Sequence, residues 1–205
     1  GDRLVSWVRR IEALKRGPHV HAIARFSHPP RLEDLAAVDL DDDELDVLRR
    51  CRPGSCGLKL SQDEIRMLRA IADRRGAGWR SDLQEAFRRA LLARATTYLE
   101  RGMGGLPAPG DTSTALLPEQ EAASIASMLP FLAHQLPAHM EFLRAFPTAP
   151  AAGVESFLYW ARESLGGKPV ISITHVTISR PAGPALPDAI VVARQVYASH
   201  YMTGA

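Results

Sequence analysis

The hydrophobic pattern of the first thirty residues predicts a helix followed by a short strand. From Asp2 to Gly17-Pro18, apolar residues recur with the 3.6-residue period of an amphipathic helix. The positions that carry this period are Leu4, Val8, Ile11 and Leu14. Residues 19–26 alternate between apolar and polar side chains, which predicts a strand. A short helical turn is expected at 32–38.

Capping residues mark the starts of the next three predicted helices. The acidic residues at 39–43 suit a helix N-terminus, because the helix dipole favours negative charge there. Ser61 with Glu64, and Ser81 with Gln84, have the spacing of a capping box, in which each side chain accepts from the other residue's amide. The helices that follow are predicted to end at Cys51, Arg75 and Arg101.

The pattern changes in the second half of the chain. The glycine- and proline-rich segment 102–115 predicts a flexible linker between a charged helical part, 1–101, and an apolar part, 116–205. Prolines within 118–146 predict short apolar helices in place of one long helix. A further helix is predicted at 154–165, where apolar residues again follow the helical period.

Two segments near the C-terminus are the clearest strand predictions. Residues 170–180 and 189–202 are rich in Val, Ile, Thr and Tyr, and a proline-rich loop at 181–187 joins them. If the two strands pair antiparallel about this loop, partner residue numbers sum to about 369. His175 is then expected opposite Arg194.

The amino-acid composition is that of an ordinary globular chain, and the sequence argues against one class of function, nucleic-acid binding. The 205 residues are 46% hydrophobic and 23% charged, with a formal net charge of +2. The expected fold is α+β, a single domain over 1–205 with a mostly helical body and a small antiparallel sheet. The C-terminal strands form this sheet, and 19–26 is a candidate further strand. No basic run flanked by aromatic residues occurs, so we expect no nucleic-acid partner.

The two cysteines, Cys51 and Cys56, flank a Pro-Gly turn and allow several interpretations. A disulfide across this short loop would stabilise the fold by about 2 kcal/mol and would indicate an oxidising compartment such as the periplasm. A redox-active pair is the alternative, because Arg50 and Arg52 favour a thiolate. Haem attachment does not fit, since no His directly follows Cys56. Zinc binding does not fit, since no second cysteine pair exists. We favour the disulfide.

Aromatic and imidazole side chains in the apolar part are candidates for a binding site. We expect an apolar hollow between the broken helices 118–146 and the strands 170–202, where a few polar groups would orient a hydrophobic ligand. The candidate ligand-binding residues are Trp160, His175, Tyr197, His200 and Tyr201.

Metal and catalytic candidates are fewer. His19 and His21 lie on one face of the predicted strand, which is a geometry that suits a transition metal, although two solvated histidines are the simpler interpretation. No complete catalytic or nucleotide-binding motif occurs, so we name no catalytic residue and expect no cofactor.

Two stretches together resemble a group of uncharacterised exported bacterial proteins. They are 50–60, which contains the cysteine pair, and 195–201, which closes a strand with Tyr-Ala-Ser-His-Tyr. This resemblance implies export and no known activity. Residues 153–205 are more distantly similar to helix-grip (START-like) lipid-binding domains, in which strands curl around a helix over an apolar cavity.

These observations favour an exported, non-enzymatic protein, periplasmic or secreted, that binds a hydrophobic small molecule or lipid in an apolar cavity. Two alternatives stay open. One is an accessory subunit of a larger periplasmic or membrane-associated complex, with the charged N-terminal half as its docking surface and peripheral contact with the membrane complex. The other is an enzyme, either a thiol oxidoreductase at Cys51 and Cys56 or a hydrolase that uses His175 or His200.

Overall fold

The computed structural model describes residues 1–74, 78–113, 117–128, 134, 136–149, 153–181 and 187–200, with only the backbone described at 125 and 126. Its elements, in chain order, are α1 (Asp2–Arg9), α2 (Ile11–Leu14), β1 (Val20–Arg25), α3 (Asp42–Arg50), α4 (Gln62–Ala72), α5 (Trp79–Arg101), α6 (Pro118–Ser127), α7 (Pro137–Ala145), β2 (Val154–Leu165), β3 (Lys168–Ser179) and β4 (Ile190–Ala198). Short 3₁₀ helices lie at Leu32–Leu35 and Met103–Gly105.

The four strands form one antiparallel sheet in the order β1-β2-β3-β4, so each strand pairs with its neighbour in the chain. The predicted α+β class, with a mostly helical body, is confirmed. The pairing of β3 with β4 follows the predicted register, and His175 lies opposite Arg194. The predicted strand at 19–26 is confirmed as β1, at the edge of the sheet beside β2.

The helix predicted at 154–165 is wrong, because this segment is strand β2. All residues of the run 157–161 are buried, since helices cover both faces of the strand. A strand that is buried on both faces loses the apolar–polar alternation by which strands are recognised in a sequence. The sheet therefore has two strands more than the predicted C-terminal hairpin.

The sheet lies between two layers of helix. Helices α3, α4 and α5 cover one face and form the larger core with residues that include Leu48, Phe87, Tyr98, Leu158, Trp160 and Ile173. Helices α1 and α2 cover the other face, where the smaller core includes Val5, Val8, Ile11, Phe157, Tyr159 and Val176. Side chains alternate between the two faces along each strand, so both cores draw on the same strands.

Two of the predicted helix starts are confirmed. The Asp41 carboxylate accepts from the amide of Glu44 at 2.9 Å and caps α3, and Glu44 accepts from the amide of Asp41 in return. Ser61 and Glu64 form the same reciprocal pair at the start of α4. Each box satisfies amides that a helix leaves unpaired at its first turn.

The capping box predicted at Ser81 is wrong. Helix α5 begins two residues earlier, at Trp79, without a side-chain cap. The Gln84 amide instead reaches out of the helix, where it accepts from the amide of Leu40 at 3.0 Å and donates to Asp39 at 2.7 Å. A contact 45 positions away in the chain thus replaces the local one.

The segment predicted as a linker packs against the cysteine loop. Within 102–113, Gly110 accepts from the amide of Gly54 at 2.7 Å, and Asp111 accepts from the amide of Cys56 at 3.0 Å. At the start of this segment Gly102 adopts a φ of 67°, and a Cβ there would overlap the carbonyl oxygen of Phe146. Glycine is needed because both the conformation and the close approach exclude a side chain.

Candidate functional site

Cys51 and Cys56 form the predicted disulfide, which leaves no free cysteine in the chain. Cys51 is only 2% exposed and directly follows the last residue of α3. The loop that the disulfide closes is hydrogen bonded to Gly110 and Asp111, as described above. The disulfide therefore closes the loop at the end of α3, and this loop is hydrogen bonded to the segment that leads out of α5, which is a structural role.

A buried polar cluster lies between α5, α7 and the sheet. The Tyr98 hydroxyl of α5 is 2.8 Å from His175 Nδ1 of β3, and both side chains are buried. Arg194 of β4 lies opposite His175 in the sheet and donates to the backbone oxygen of Leu143 in α7. The cluster thus brings together the predicted neighbours His175 and Arg194 with a tyrosine from the helical body.

One tautomer of His175 leaves a donor on Nε2. The Tyr98 hydroxyl can donate its hydrogen to His175 Nδ1, which lies 2.8 Å away. With this arrangement the neutral imidazole carries its proton on Nε2. That nitrogen is buried and has no hydrogen-bond partner among the described residues. Because such a donor costs about 1–3 kcal/mol when it is left unpaired, the ring presents an unfilled hydrogen-bond donor.

Aromatic rings surround this donor. The Phe146 ring stacks on Tyr98 with centroids 5.1 Å apart and lies 4.6 Å from the His175 ring. Phe142 meets Phe146 edge-on at 5.7 Å. These rings pack the polar cluster against the buried side of α7 and the residue that follows it.

Burial keeps His175 and Tyr98 uncharged. Burial, with a smaller contribution from the positive charge of Arg194, lowers the pKa of His175 to about 4. Burial raises the pKa of Tyr98 to about 12, although Arg194 opposes this effect. At pH 7 both side chains are therefore uncharged, and Arg194 carries the only charge among the three.

His139 links α7 to the sheet through two hydrogen bonds. Its Nδ1 lies 2.8 Å from the Ser179 hydroxyl and its Nε2 lies 2.9 Å from the Thr177 hydroxyl, both on β3. Burial lowers the pKa of His139, so it too favours the neutral ring. Both ring nitrogens have partners, which distinguishes His139 from His175.

The other predicted ligand-binding residues fall into different surroundings. Trp160 is fully buried, and its indole donates to the backbone oxygen of Asp34 at 2.7 Å. Tyr197 is buried beside Arg94, whose guanidinium lies 4.7 Å from the ring centre. Its hydroxyl has no partner among the described residues, and burial raises its pKa. Trp160 and Tyr197 both flank Ile173 on the sheet face that also carries His175.

The last two candidates follow β4 in the sequence. His200 is half-buried, with Nδ1 3.1 Å from the Ser199 hydroxyl. Burial lowers the pKa of His200. Tyr201 lies outside the described residues, so the predicted site is described at four of its five positions: Trp160, His175, Tyr197 and His200.

The histidines of the first strand are not joined to a larger ligand set. His21 Nε2 lies 2.6 Å from the Ser164 hydroxyl on β2, and His19 is exposed in the turn before β1. Within the part of the chain that the structure describes, no group of three or more His, Cys, Asp or Glu could hold a metal ion. Among the same residues, no helix is both long enough and apolar enough to span a membrane.

Besides Arg194, three residues in or next to the cluster were missed by sequence reasoning as site residues. The sequence pattern placed Tyr98 on the inner side of its helix. The hydroxyl of a buried tyrosine usually has a hydrogen-bond partner, which is the signal that could have found it. His139 occupies the first turn of a helix that begins with Pro137, and it has no sequence neighbour that reveals its partners on β3. Phe146 was recognised only as one of several aromatic residues in an apolar stretch.

Comparisons with known proteins add no relative to the argument, so the function is argued from the residues described above. No family model, no curated protein and no solved structure matches the chain.

Proposed function

We propose that this protein is an exported, non-enzymatic binding protein that holds a hydrophobic small molecule, such as a lipid, against the sheet near α7. The observation that carries this proposal is the buried Nε2 of His175, which has no hydrogen-bond partner among the described residues. A polar atom of a ligand at this nitrogen would recover the free energy of an unpaired buried donor.

The chemistry around His175 defines the ligand. The Nε2–H donates, and the nearby Arg194 charge favours a negative or electron-rich partner, so the polar end of the ligand is a hydrogen-bond acceptor such as a carboxylate. The rings of Phe142 and Phe146 suit an apolar chain. The unpartnered hydroxyl of Tyr197, on the same sheet face, is a second donor for a longer ligand.

The electrostatics of the cluster favour binding over catalysis. A general base works best when its pKa is near the operating pH, and the pKa of His175 is about 4. The Tyr98 hydroxyl, with a pKa of about 12, stays protonated and is a poor nucleophile at neutral pH. The hydrolase alternative at His175 or His200 stays a prediction.

The disulfide supports the proposed localisation. Structural disulfides persist in oxidising compartments, so Cys51–Cys56 is compatible with a periplasmic or secreted protein. The alternative as a thiol oxidoreductase needs access to a sulfur atom. Cys51 is almost fully buried and Cys56 is partly exposed, so this alternative stays a prediction. The accessory-subunit alternative stays a prediction as well.

Binding is tested with two probes of equal chain length and opposite charge. Dodecanoate offers an acceptor to His175, and dodecylammonium offers only donors and meets the Arg194 charge. We expect native mass spectrometry and isothermal titration to show dodecanoate bound and dodecylammonium at least tenfold weaker. A protein that is ligand-free after gentle purification and binds neither probe, or binds both equally, would overturn the proposal.

Variants test whether binding depends on the hydrogen-bond donor of His175. His175→Phe keeps a buried ring and removes Nε2–H, which should weaken dodecanoate binding about tenfold, by the loss of one hydrogen bond to a charged group. Tyr98→Phe keeps the stack on Phe146 and frees the tautomer of His175, so a smaller loss is expected. The control is His21→Phe, an exposed strand histidine, which should bind as the unmodified protein does. Equal affinity in all three variants would contradict the proposed site.

A further inference from the structure

We propose that the outward face of α1 and α2 docks on an anionic phospholipid surface. The inward face of these helices packs on the sheet through Val5, Val8 and Ile11. The other side leaves three large apolar residues exposed, at 53% for Leu4, 39% for Trp7 and 44% for Leu14. Leu4 and Trp7 lie one helical turn apart on α1, and Leu14 is the last residue of α2; we call these three residues the apolar patch.

Some of the basic residues of this segment are already neutralised by the sheet. Arg9 pairs with Glu155 at 2.8 Å, and Lys15 pairs with Glu163 at 2.8 Å, both carboxylates belonging to β2. These pairs hold the helices against the sheet and leave little charge for a partner.

The remaining basic residues border the apolar patch and are free of such pairs. Arg3, Arg10 and Arg16 are exposed, and none has a carboxylate partner among the described residues. The Arg10 guanidinium lies over the Trp7 ring, 4.6 Å from its centre, so charge and aromatic surface face the same side.

This combination matches the chemistry of an anionic bilayer surface. Tryptophan is favourable at the level of the lipid headgroups, and leucine side chains enter the boundary of the acyl chains. Each unpaired arginine near an anionic surface contributes about 1 kcal/mol of attraction, and its planar fork suits phosphate oxygens. Charge complementarity therefore identifies anionic phospholipid as the partner of this face. The inference concerns the sheet face opposite His175 and does not depend on the ligand proposed there.

The test uses sedimentation with sucrose-loaded vesicles. Vesicles of phosphatidylglycerol and phosphatidylcholine in equal parts should bind the protein, and vesicles of phosphatidylcholine alone should bind it at least tenfold more weakly. Binding should weaken as salt is added, because screening reduces the attraction between exposed charges. In a Trp79→Phe background, Trp7 fluorescence should be quenched by lipid with brominated acyl chains.

Two variants at this face are compared with two controls on the helical body. Arg3→Glu/Arg10→Glu and Leu4→Gln/Trp7→Gln should each reduce binding to the anionic vesicles at least tenfold, and all four positions are exposed enough to tolerate a polar side chain. The controls are Arg50→Glu/Arg74→Glu and Met67→Gln, which change exposed residues of the same kinds outside α1 and α2. The controls should bind as the unmodified protein does.

Three outcomes would overturn the proposal. The first is a lack of binding to anionic vesicles. The second is equal loss in the α1 variants and the controls, which would indicate a nonspecific charge effect. The third is a dimer in light scattering that only the α1 variants dissociate, since this would assign the face to a second copy of the chain.

Discussion

Glu44 and Arg162 form an ion pair between the start of α3 and the middle of the sheet, with Glu44 Oε2 2.9 Å from Arg162 Nη2. The same oxygen accepts from the amide of Asp41, so one carboxylate both caps the helix and fixes it to β2. Glu64 repeats this arrangement at the start of α4, where it caps the helix and pairs with Arg94 of α5. Each capping box therefore also orients its helix against the rest of the core.

We expect Arg162→Met to lower the free energy of unfolding at pH 7 by about 3–5 kcal/mol, because the buried Glu44 carboxylate would lose its counter-charge. The matched control is Arg144→Met, which removes the partner of Glu141 on the surface of α7. This exposed pair should contribute less than about 1 kcal/mol. Urea denaturation measures both variants, and equal losses would contradict a special role for the buried pair.

The double variant Glu44→Gln/Arg162→Met tests the cause of that loss. Glutamine can still accept at the capping position, and the double variant leaves no buried charge. It should therefore recover part of the stability that Arg162→Met loses. No recovery would show that lost packing of the Arg162 side chain, and not the unpaired charge, explains the single variant.

Short sequence patterns predicted much of this fold, because the predicted elements depend on interactions between residues that are close together in the chain. The acidic helix start at 39–43 and the capping box at 61–64 act within one helical turn, so both are visible in a short window of sequence. The register that places His175 opposite Arg194 follows from the position of the loop alone. The helix predicted at 154–165 was wrong for the opposite reason. Burial of β2 on both faces depends on helices that lie far away in the chain, so no short window of sequence shows it.

The cluster around His175 was only half predictable for the same reason. The pairing of His175 with Arg194 is a property of one hairpin, but the contact between Tyr98 and His175 joins residues 77 positions apart. No periodicity in either segment encodes that contact. The signal that remains is the placement of a tyrosine on the buried side of a helix, which requires a polar partner without saying which one.

We expect His175 to remain neutral down to about pH 4. Its pKa is lower in the folded protein than in the unfolded chain, so between about pH 4 and 6.5 the unfolded state binds more protons. The contribution of His175 to stability is complete above this window and is lost as the pH falls through it. Glu44, whose pKa is raised by burial, has the opposite sign, so total stability does not isolate His175.

The His175 titration is therefore measured residue by residue. Its ring signals in a two-dimensional NMR spectrum should not shift between pH 8 and about 5. His175→Phe provides the assignment, because the static signal should disappear in that variant. A His175 signal that titrates near pH 6.5 would show that water reaches the ring and would contradict the buried, neutral cluster.

We expect removal of the disulfide to cost about 2 kcal/mol, which is the loop-entropy value for a ring of this size. Cys51→Ser/Cys56→Ala should show this loss in urea denaturation, and a reducing agent should have no further effect on that variant. The native protein should present no reactive thiol to a titrating reagent, and two after unfolding and reduction. Two free thiols in the native protein would contradict the structural role and revive the redox alternative.

The two serines of the predicted capping boxes offer the sharpest comparison of sequence and structure. Ser61 accepts from the amide of Glu64 at the start of α4, so Ser61→Ala should destabilise the protein by about 1 kcal/mol. Ser81 lies exposed inside α5, where alanine is the better helix former, so Ser81→Ala should be neutral or stabilise by a few tenths of a kcal/mol. Thermal unfolding of both variants under one set of conditions measures the difference. A loss of similar size at Ser81 would mean that α5 starts at the capping box after all, with residues 79 and 80 outside the helix.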